Sequence, residues 1–331
     1  MKRKLPGGLR LWVTLASLGF VSWALAGHVA GLQDLSISAR GWWWLLLGLG
    51  LSWLSLVVNA LAWRVLVNWL GHGTEGLALV PLHLRTNLLK YLPGGIWHFV
   101  DRLRTLQPRL GTNRALVSVL LEPLVMAVAA LLWVPFGGWQ SGLAVLAVLP
   151  ALVLVPRWRE PLLARLERAK WKQLKRANPQ TLATLDVDHL GSGRGGYPWG
   201  PLGLEMGFVL CRFAGFWCCV QTFDLGAVQS PWIWLAGFAL AWTVGLVVPA
   251  APGGLGVFEA VLLLRLGGLV GEAPLLAVAL SYTWWLPWRM CWRLELFSWI
   301  SVGQELKTAL QIPPQPVRRR HANALSSSWA G

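Results

Sequence analysis

Charged residues are scarce in this sequence. Only 13% of its 331 residues are Asp, Glu, Lys or Arg, whereas charged residues make up about a quarter of an average soluble protein. This scarcity excludes an ordinary soluble enzyme and a disordered chain. Hydrophobic residues account for 55% of the chain, the mean hydropathy is +0.53, and 24 residues are Trp, a side chain that is enriched at membrane interfaces. The composition therefore predicts an integral membrane protein.

Cysteines and catalytic motifs are also scarce. The chain has four cysteines, all in apolar stretches and none at a metal-ligand spacing, so we expect buried thiols: Cys211, Cys218, Cys219 and Cys291. No HExxH, Walker A, GxSxG or paired CxxC motif is found. We therefore expect no catalytic residues, no metal and no cofactor, and a protein that is not an enzyme.

Acidic residues are few, 14 against 29 Lys and Arg, which gives a formal net charge of +15. In a membrane protein such an excess marks cytoplasmic loops and contact with anionic lipid headgroups, and we expect no nucleic-acid partner. The basic residues are concentrated in the N-terminus, 101–114, 157–200 and the C-terminal tail. This pattern predicts a multi-pass protein of the plasma (inner) membrane with both termini in the cytoplasm.

Long uncharged stretches predict the membrane spans, because about 20 apolar residues cross a bilayer. The predicted spans lie at 11–33, 41–63, 123–156 as two helices with a turn at 135–142, about 202–223, 225–258 with proline breaks, and about 273–300. The fold class is therefore an all-α polytopic membrane helix bundle. It has six spans, or eight if 231–250 and 253–270 both cross.

The domain organisation follows from the same pattern. We expect one integral membrane domain at 1–310, with a first half at 10–156 and a second half at 201–300. A basic cytoplasmic loop at 157–200 separates them, and its first part has the pattern of an amphipathic helix on the membrane surface. The tail 311–331 is predicted to be disordered.

An internal repeat is the most informative feature. The segments PGGIWHFVD, from Pro93, and PGGLGVFEA, from Pro252, lie 159 residues apart. Pro-Gly-Gly cannot continue a helix through a membrane, and the broken backbone must line protein or water. Paired broken or re-entrant helices in the two halves predict a pseudo-symmetric repeat around a polar midplane cavity. The alternative is two unrelated turns that share Pro-Gly-Gly.

The stretches KYLPGGIWHFVDRL and VVPAAPGGLGVFEAVLLLRLGG resemble the lysylphosphatidylglycerol synthase transmembrane-region family, the flippase-like domain of multiple peptide resistance factors. The resemblance covers roughly residues 10–300. It implies a membrane region that moves aminoacylated phosphatidylglycerol between leaflets, and we expect the separate soluble aminoacyl-transferase domain to be absent. The chain departs from the family pattern at Pro123, which follows Glu122 where an Arg is usual, and at Thr283, which stands where an Arg is usual. Arg212 is expected to supply the missing headgroup charge.

Charges inside a bilayer are costly, so each one is a candidate site. The candidate substrate-binding residues are the two glycine-rich breaks and the charges near them: Pro93, Gly94, Gly95, His98, Asp101, Arg102, Glu122, Arg212, Pro252, Gly253, Gly254, Gly256 and Glu259. His98 is the weakest of these, since a lone histidine is usually interfacial.

The charged candidates have structural alternatives. Arg212 binds a phosphate or carboxylate, or it pairs with Glu122 or Glu259. Asp101 and Arg102 bind substrate, or they form a solvated pair at the interface. Glu259 caps the helix that follows the glycines, or it binds a cationic headgroup.

The sequence favours a flippase-like translocator of phospholipid or lipid-linked substrates, with anionic lipid headgroups as partners. Two alternatives stay open. One is an accessory protein that docks a lipid-modifying enzyme or glycosyltransferase through the loop 157–200. The other is an integral-membrane transferase. The lipid, the direction, the energy source and the oligomeric state are not predicted.

Overall fold

The computed structural model describes residues 37–71, 77–88, 97–138, 143–177, 196–248, 254 and 256–283, and the single positions 19, 22, 26 and 27. These residues belong to one compact unit, Met1–Arg289, whereas the second unit, Met290–Gly331, lies wholly outside the described residues. All regular elements in the described ranges are helices. The all-α prediction is therefore confirmed for these ranges.

The helices are α1 (Ala39–Trp69), α2 (Leu79–Leu88), α3 (Trp97–Leu110), α4 (Thr112–Leu131), α5 (Leu143–Val148), α6 (Pro156–Ala177), α7 (Trp199–Thr222), α8 (Pro231–Val247) and α9 (Val257–Val270). A further helix, α10, begins at residue 272 and is described to residue 283. Short 3-10 helices lie at Val134–Gly137, Leu149–Leu154 and Leu225–Ala227.

Three helices in the described part are long and apolar enough to cross a membrane: Ala39–Trp69, Arg114–Gly137 and Trp199–Thr222. The first and third agree with the predicted spans at 41–63 and about 202–223. The predicted start of the second, residue 123, is wrong. Its helix begins at Thr112 and continues through Pro123, because apolar residues on both sides of the proline are buried in the bundle and outweigh the lost hydrogen bond.

Two predicted spans are shorter than a crossing helix. The second part of 123–156 forms the helical stretch Ala144–Leu154, and 231–250 forms Pro231–Val247. Whether Pro231–Val247 crosses or re-enters stays a prediction, as does the count of six to eight spans. The predicted spans at 11–33 and beyond 283 lie outside the described residues, apart from a few single positions.

Close packing of small residues joins α1 to α7. A Cβ atom at Gly215 would lie 2.5 Å from Oγ of Ser52 and 3.1 Å from the carbonyl oxygen of Gly48. Toward the other end of the contact, the Thr222 hydroxyl donates to the carbonyl oxygen of Gly41 at 3.4 Å. The numbering falls along α7 as it rises along α1, so the two helices run antiparallel. Small residues at such contacts are typical of helix pairs in membranes.

The helix bounds recur along the chain. α1 and α7 begin at residues 39 and 199, α2 and α8 end at 88 and 247, and α3 and α9 span 97–110 and 257–270. α4 begins at 112 and α10 at 272. These bounds differ by 159 or 160 residues, and the Pro-Gly-Gly segments differ by 159. The ends of α1 and α7 differ by 153 residues and the starts of α2 and α8 by 152, so the repeat is not uniform.

The two largest apolar cores each come mainly from one half of the chain. The first is built around residues of α1, α3 and α4, including Trp63, Leu103 and Leu121. The second is built around aromatic residues of α7 to α10, including Phe216 and Phe238. Cys218 and Cys219 are buried free thiols and Cys211 is a partly buried one, as predicted, whereas Cys291 lies outside the described residues. The charged candidate residues lie on helices of these two cores, Arg102 and Glu122 on α3 and α4, and Arg212 and Glu259 on α7 and α9.

Candidate functional site

Arg102 is placed inside the bundle by the helical spacing of α3. Leu103 and Leu106 form the buried face of this helix, and Arg102 lies on the same face because residues three and four apart share one side of a helix. Only 1% of the Arg102 surface is exposed. A guanidinium in this position must find partners within the protein.

The guanidinium of Arg102 bonds to two neighbouring helices. Its Nη1 donates to Oε2 of Glu122 on α4. Its Nε donates to the Thr86 hydroxyl on α2 at 2.8 Å, and that hydroxyl donates in turn to the carbonyl oxygen of Leu82 at 2.8 Å. Arg102 therefore joins α2, α3 and α4.

Glu122 also contacts a histidine. Nε2 of His83 lies 2.8 Å from Oε1 of Glu122, so each carboxylate oxygen has a partner on a different helix. The guanidinium carbon of Arg102 lies 4.8 Å from the ring centroid of Trp63, and the His83 ring centroid lies 5.5 Å from the same ring. We call these residues the ion-pair cluster: Trp63, His83, Thr86, Arg102 and Glu122.

The solvated pair predicted for Asp101 and Arg102 is wrong. Their side chains point to different sides of α3, since consecutive helical residues are about 100° apart. Asp101 instead accepts a hydrogen bond from Nη2 of Arg85 at 2.9 Å, and the side chain of Arg85 is 59% exposed. The Arg85–Asp101 pair is the solvated one, and Arg102 belongs to the interior.

Arg212 lies on α7 in the second core. It is partly buried, and its guanidinium carbon lies 5.4 Å from the ring centroid of Tyr282. Its Nε is buried and has no hydrogen-bond partner among the described residues. The alternative in which Arg212 pairs with Glu122 or Glu259 is wrong within those residues, because Arg102 is the partner of Glu122, and Glu259 turns toward its own helix end.

Glu259 caps α9, as predicted. Its Oε2 accepts a hydrogen bond from the backbone N–H of Gly256 at 2.7 Å. The Thr283 side chain on α10 lies near this carboxyl, and its hydroxyl donates to the carbonyl oxygen of Ala279 at 3.0 Å. Thr283 is the residue that stands where the resemblance leads one to expect Arg, so a hydroxyl rather than a cation meets the buried acid here. Binding of a cationic headgroup by Glu259 stays a prediction.

The second glycine-rich break is described only in part. Gly254 and Gly256 both have φ of +81°, a conformation that glycine adopts readily. A Cβ atom at Gly254 would lie 3.2 Å from Cα of Gly245 on α8, so the break packs closely against that helix. The other predicted break residues, Pro93, Gly94, Gly95, Pro252 and Gly253, lie outside the described residues, and so does the side chain of His98.

Sequence reasoning missed three members of the ion-pair cluster: Trp63, His83 and Thr86. A signal for two of them was present. His83 and Thr86 are three residues apart, with Asn87 four residues after His83, and all three are buried on one face of α2. A polar face on a short helix in an apolar chain indicates a polar partner. Trp63 has no such signal, because the chain contains 24 tryptophans.

The helix α6 has the basic, amphipathic character that the sequence predicts. Arg159 fixes it: the Nη1 atom donates to the carbonyl oxygen of Gly196 at 3.0 Å, and the guanidinium carbon lies 5.0 Å from the ring centroid of Trp69. Glu167 is on the inward face, where burial raises the pKa of its carboxyl to about 7. The outward face is exposed and carries three arginines, Arg157, Arg165 and Arg168, together with Trp158, Glu160 and Leu166.

Within the described ranges, no group of three or more His, Cys, Asp or Glu residues is arranged to hold a metal ion. Comparison with known proteins gives one result: the family model described as lysylphosphatidylglycerol synthase TM region matches residues 10–286. No curated protein and no solved structure matches the chain. The matched region contains every helix described above, from α1 to α10.

Proposed function

The chain belongs to the lysylphosphatidylglycerol synthase TM region family, and from this premise we propose that it is a flippase-like translocator of phospholipid or lipid-linked headgroups. Membership of this family and the apolar helices make it a membrane protein linked to lipid handling. The proposal goes further than this assignment, because it states that the protein moves a lipid headgroup between leaflets. The observation that carries it is the ion-pair cluster.

Burial of the ion-pair cluster is hard to explain by stability alone. Taking a guanidinium and a carboxylate out of water costs several kcal/mol per ion, and a well-packed apolar pair of similar volume is often as stable. Arg102 and Glu122 are 1% and 2% exposed. Ionisable groups inside membrane helices commonly mark a path for a polar substrate. A lipid headgroup is the polar substrate that this family suggests.

The helix arrangement supports the same proposal. α1 and α7 have starting residues 160 apart and run antiparallel. Corresponding helices of opposite direction are the arrangement that an inverted repeat requires. In transporters with inverted repeats the substrate binds near the bilayer midplane at the repeat interface. We propose such a polar midplane cavity here, with the broken helices before α3 and α9 at its edges.

Arg212 is the proposed headgroup ligand in the second half of the chain. A guanidinium binds phosphate through two parallel hydrogen bonds, and Nε of Arg212 has no partner within the described residues. Its partial exposure leaves it accessible to a lipid. We further propose the plasma (inner) membrane as the location, with both termini and α6 on the cytoplasmic side, because basic segments stay there.

Reconstitution in liposomes tests the function. The purified chain is placed in liposomes that contain fluorescently labelled phosphatidylglycerol, lysyl-phosphatidylglycerol or phosphatidylcholine, and a membrane-impermeant quencher reports the outer-leaflet fraction. We expect translocation of at least one anionic or lysylated lipid to exceed that in protein-free liposomes. If no lipid in the set moves faster than in protein-free liposomes, the translocator proposal is rejected.

The exposed face of α6 favours a second candidate, an accessory role in which this face docks a lipid-modifying enzyme. Trp158 is 62% exposed between Arg157 and the buried Arg159. A docking role predicts that replacing Arg165 and Arg168 by Gln abolishes co-purification of a lipid enzyme and leaves lipid translocation unchanged. Co-purification that survives both substitutions rejects α6 as the docking site.

A further inference from the structure

The ion-pair cluster has unused hydrogen-bond donors. Nη2 of Arg102 is buried and has no hydrogen-bond partner among the described residues, and the same is true of Nε1 of Trp63. Both side chains are at most 1% exposed, so water at the protein surface does not reach them. A charged group with an unmet donor in such a place is costly.

The unmet indole nitrogen is informative only beside the arginine. Nε1 atoms without a hydrogen-bond partner are also found at Trp133 and Trp234, so this feature alone indicates no site. Trp234 packs among aromatic residues, with its ring centroid 6.1 Å from that of Phe216. Trp63 differs because the guanidinium of Arg102 lies 4.8 Å from its ring centroid and carries a second unmet donor.

A ligand that offers acceptor atoms would satisfy these two donors, which have no partner among the described residues. Nη1 and Nε of Arg102 are already bonded to Glu122 and Thr86, so they orient the guanidinium and leave Nη2 for the ligand. A positively charged donor beside a neutral N–H donor suits an oxyanion, because hydrogen bonds from guanidinium to phosphate are charge-assisted. A cationic or purely apolar ligand would leave both donors unmet.

We propose that Nη2 of Arg102 and Nε1 of Trp63 form an oxyanion subsite, filled by a phosphate oxygen of the translocated phospholipid. The inference rests on the proposed function, because the lipid is the source of the phosphate. Both donors are enclosed in this structure, so a headgroup enters when α1 and α3 separate. Exposure of an enclosed site by moving helices is the general scheme of alternating access.

Binding to the purified full-length chain in neutral nanodiscs tests the subsite. The probe is a short-chain phosphatidylglycerol, titrated and followed by calorimetry. Trp63→Phe keeps an aromatic ring beside Arg102 and removes only the indole donor, so we expect about tenfold weaker binding, which corresponds to about 1.4 kcal/mol. Trp234→Phe is the control, because it removes the same kind of indole donor at a position that does not contact Arg102. The affinity of this variant for the lipid is expected to stay within about twofold of wild type.

Equal affinity of the Trp63→Phe and Trp234→Phe variants overturns the subsite. Arg102→Lys provides a second test: it keeps a positive charge for Glu122 and removes the second terminal nitrogen. It is expected to weaken binding at least as much as Trp63→Phe does, with the helical circular dichroism of wild type. Binding of this variant at wild-type affinity overturns the proposal.

Two further probes identify the source of the oxyanion. A short-chain diacylglycerol lacks the phosphate, and we expect it not to compete with phosphatidylglycerol. Inorganic phosphate is expected to bind far more weakly than the lipid. Competition by diacylglycerol at equal concentration overturns the phosphate contact, and binding of inorganic phosphate as tight as that of the lipid overturns the lipid assignment.

The binding and translocation measurements together distinguish a failure of the proposed subsite from a failure of the proposed function. Translocation that persists while Trp63→Phe leaves lipid affinity unchanged rejects the subsite and not the translocator. Weakened lipid binding in Trp63→Phe, in a chain that moves no lipid in liposomes, rejects the translocator and supports the subsite as a binding site.

Discussion

Arg102 on α3 and Glu122 on α4 form an ion pair inside the helix bundle, with 1% and 2% of their surfaces exposed. The residues are 20 positions apart, and the turn between α3 and α4 at Gly111, with φ of +77°, brings the two helices alongside each other. Few membrane helices place a charged pair in such surroundings without a functional reason. This relationship is the basis of the proposed function.

Breaking the pair on one side is expected to be strongly destabilising. Glu122→Gln leaves the Arg102 guanidinium buried without a counter-charge, which costs about 3–5 kcal/mol in comparable buried pairs. Asp101→Asn is the matched control, because it breaks the exposed pair with Arg85 and should cost about 0–1 kcal/mol. Thermal unfolding in nanodiscs measures both. Equal midpoints for the two variants would contradict the buried position of the Arg102–Glu122 pair.

The close contact of α1 with α7 makes a second prediction. Gly215→Ala places a Cβ atom 2.5 Å from Oγ of Ser52 and is expected to cost about 1–3 kcal/mol through overpacking. Gly50→Ala on α1 meets no atom within 4 Å and should be neutral or stabilising by up to about 1 kcal/mol, since Ala favours a helix. Denaturant titration compares the two variants. A Gly215→Ala chain as stable as Gly50→Ala would show that the helices are not packed this closely.

The buried carboxyl of Glu167 is expected to make the stability of α6 depend on pH. Burial raises the pKa of this carboxyl from 4.5 to about 7, so the unfolded chain loses the proton at a lower pH than the folded chain. The stability of α6 against the bundle therefore falls as pH rises from about 4.5 through about 7. Hydrogen exchange of the α6 amides, corrected for the intrinsic effect of pH, should show this loss of protection.

Glu167→Gln removes the titrating group and keeps the size of the side chain. Its α6 protection is expected to be independent of pH across that range. A pH dependence that is the same in wild type and Glu167→Gln would assign the effect to another group.

Arg212→Gln is predicted to reduce translocation at least tenfold with little change in thermal stability. Nε of Arg212 has no hydrogen-bond partner to lose among the described residues, and the proposed partner of the guanidinium is the lipid. Arg265→Gln is the control, since Arg265 on α9 is also partly buried and has no assigned role. Initial rates in liposomes measure the effect. Equal rates for the two variants would remove Arg212 from the headgroup path.

Much of the fold could be predicted from hydropathy and charge. Local composition was enough to predict four features, because tertiary packing does not change them: the helices at 41–63 and about 202–223, the turn at Pro135 and the basic helix after Pro156. The start of α4 was missed because Arg114 and Pro123 look like span boundaries. The helix nevertheless includes both residues, because its apolar side chains are buried against neighbouring helices.

The candidate site was predicted less well. Arg102 and Glu122 were both named as candidates, but their pairing was not, because it depends on how α3 and α4 pack. The spacing of Leu103 and Leu106 could have placed Arg102 on the inward face. Glu259 was predicted correctly as a cap because that role depends on sequence position alone, three residues after Gly256.

The most direct test of the central claim replaces the whole pair. Arg102→Met with Glu122→Leu removes both charges and fills the same space, so no unpaired charge is left in the interior. The chain should therefore fold, with a loss of stability limited to the hydrogen bonds that His83 and Thr86 give up. Its rate of lipid translocation in liposomes is then measured beside that of wild type. The account predicts a folded chain whose rate falls to that of protein-free liposomes. A folded chain that moves lipid at the wild-type rate would contradict it, because the ion-pair cluster would then have no part in transport.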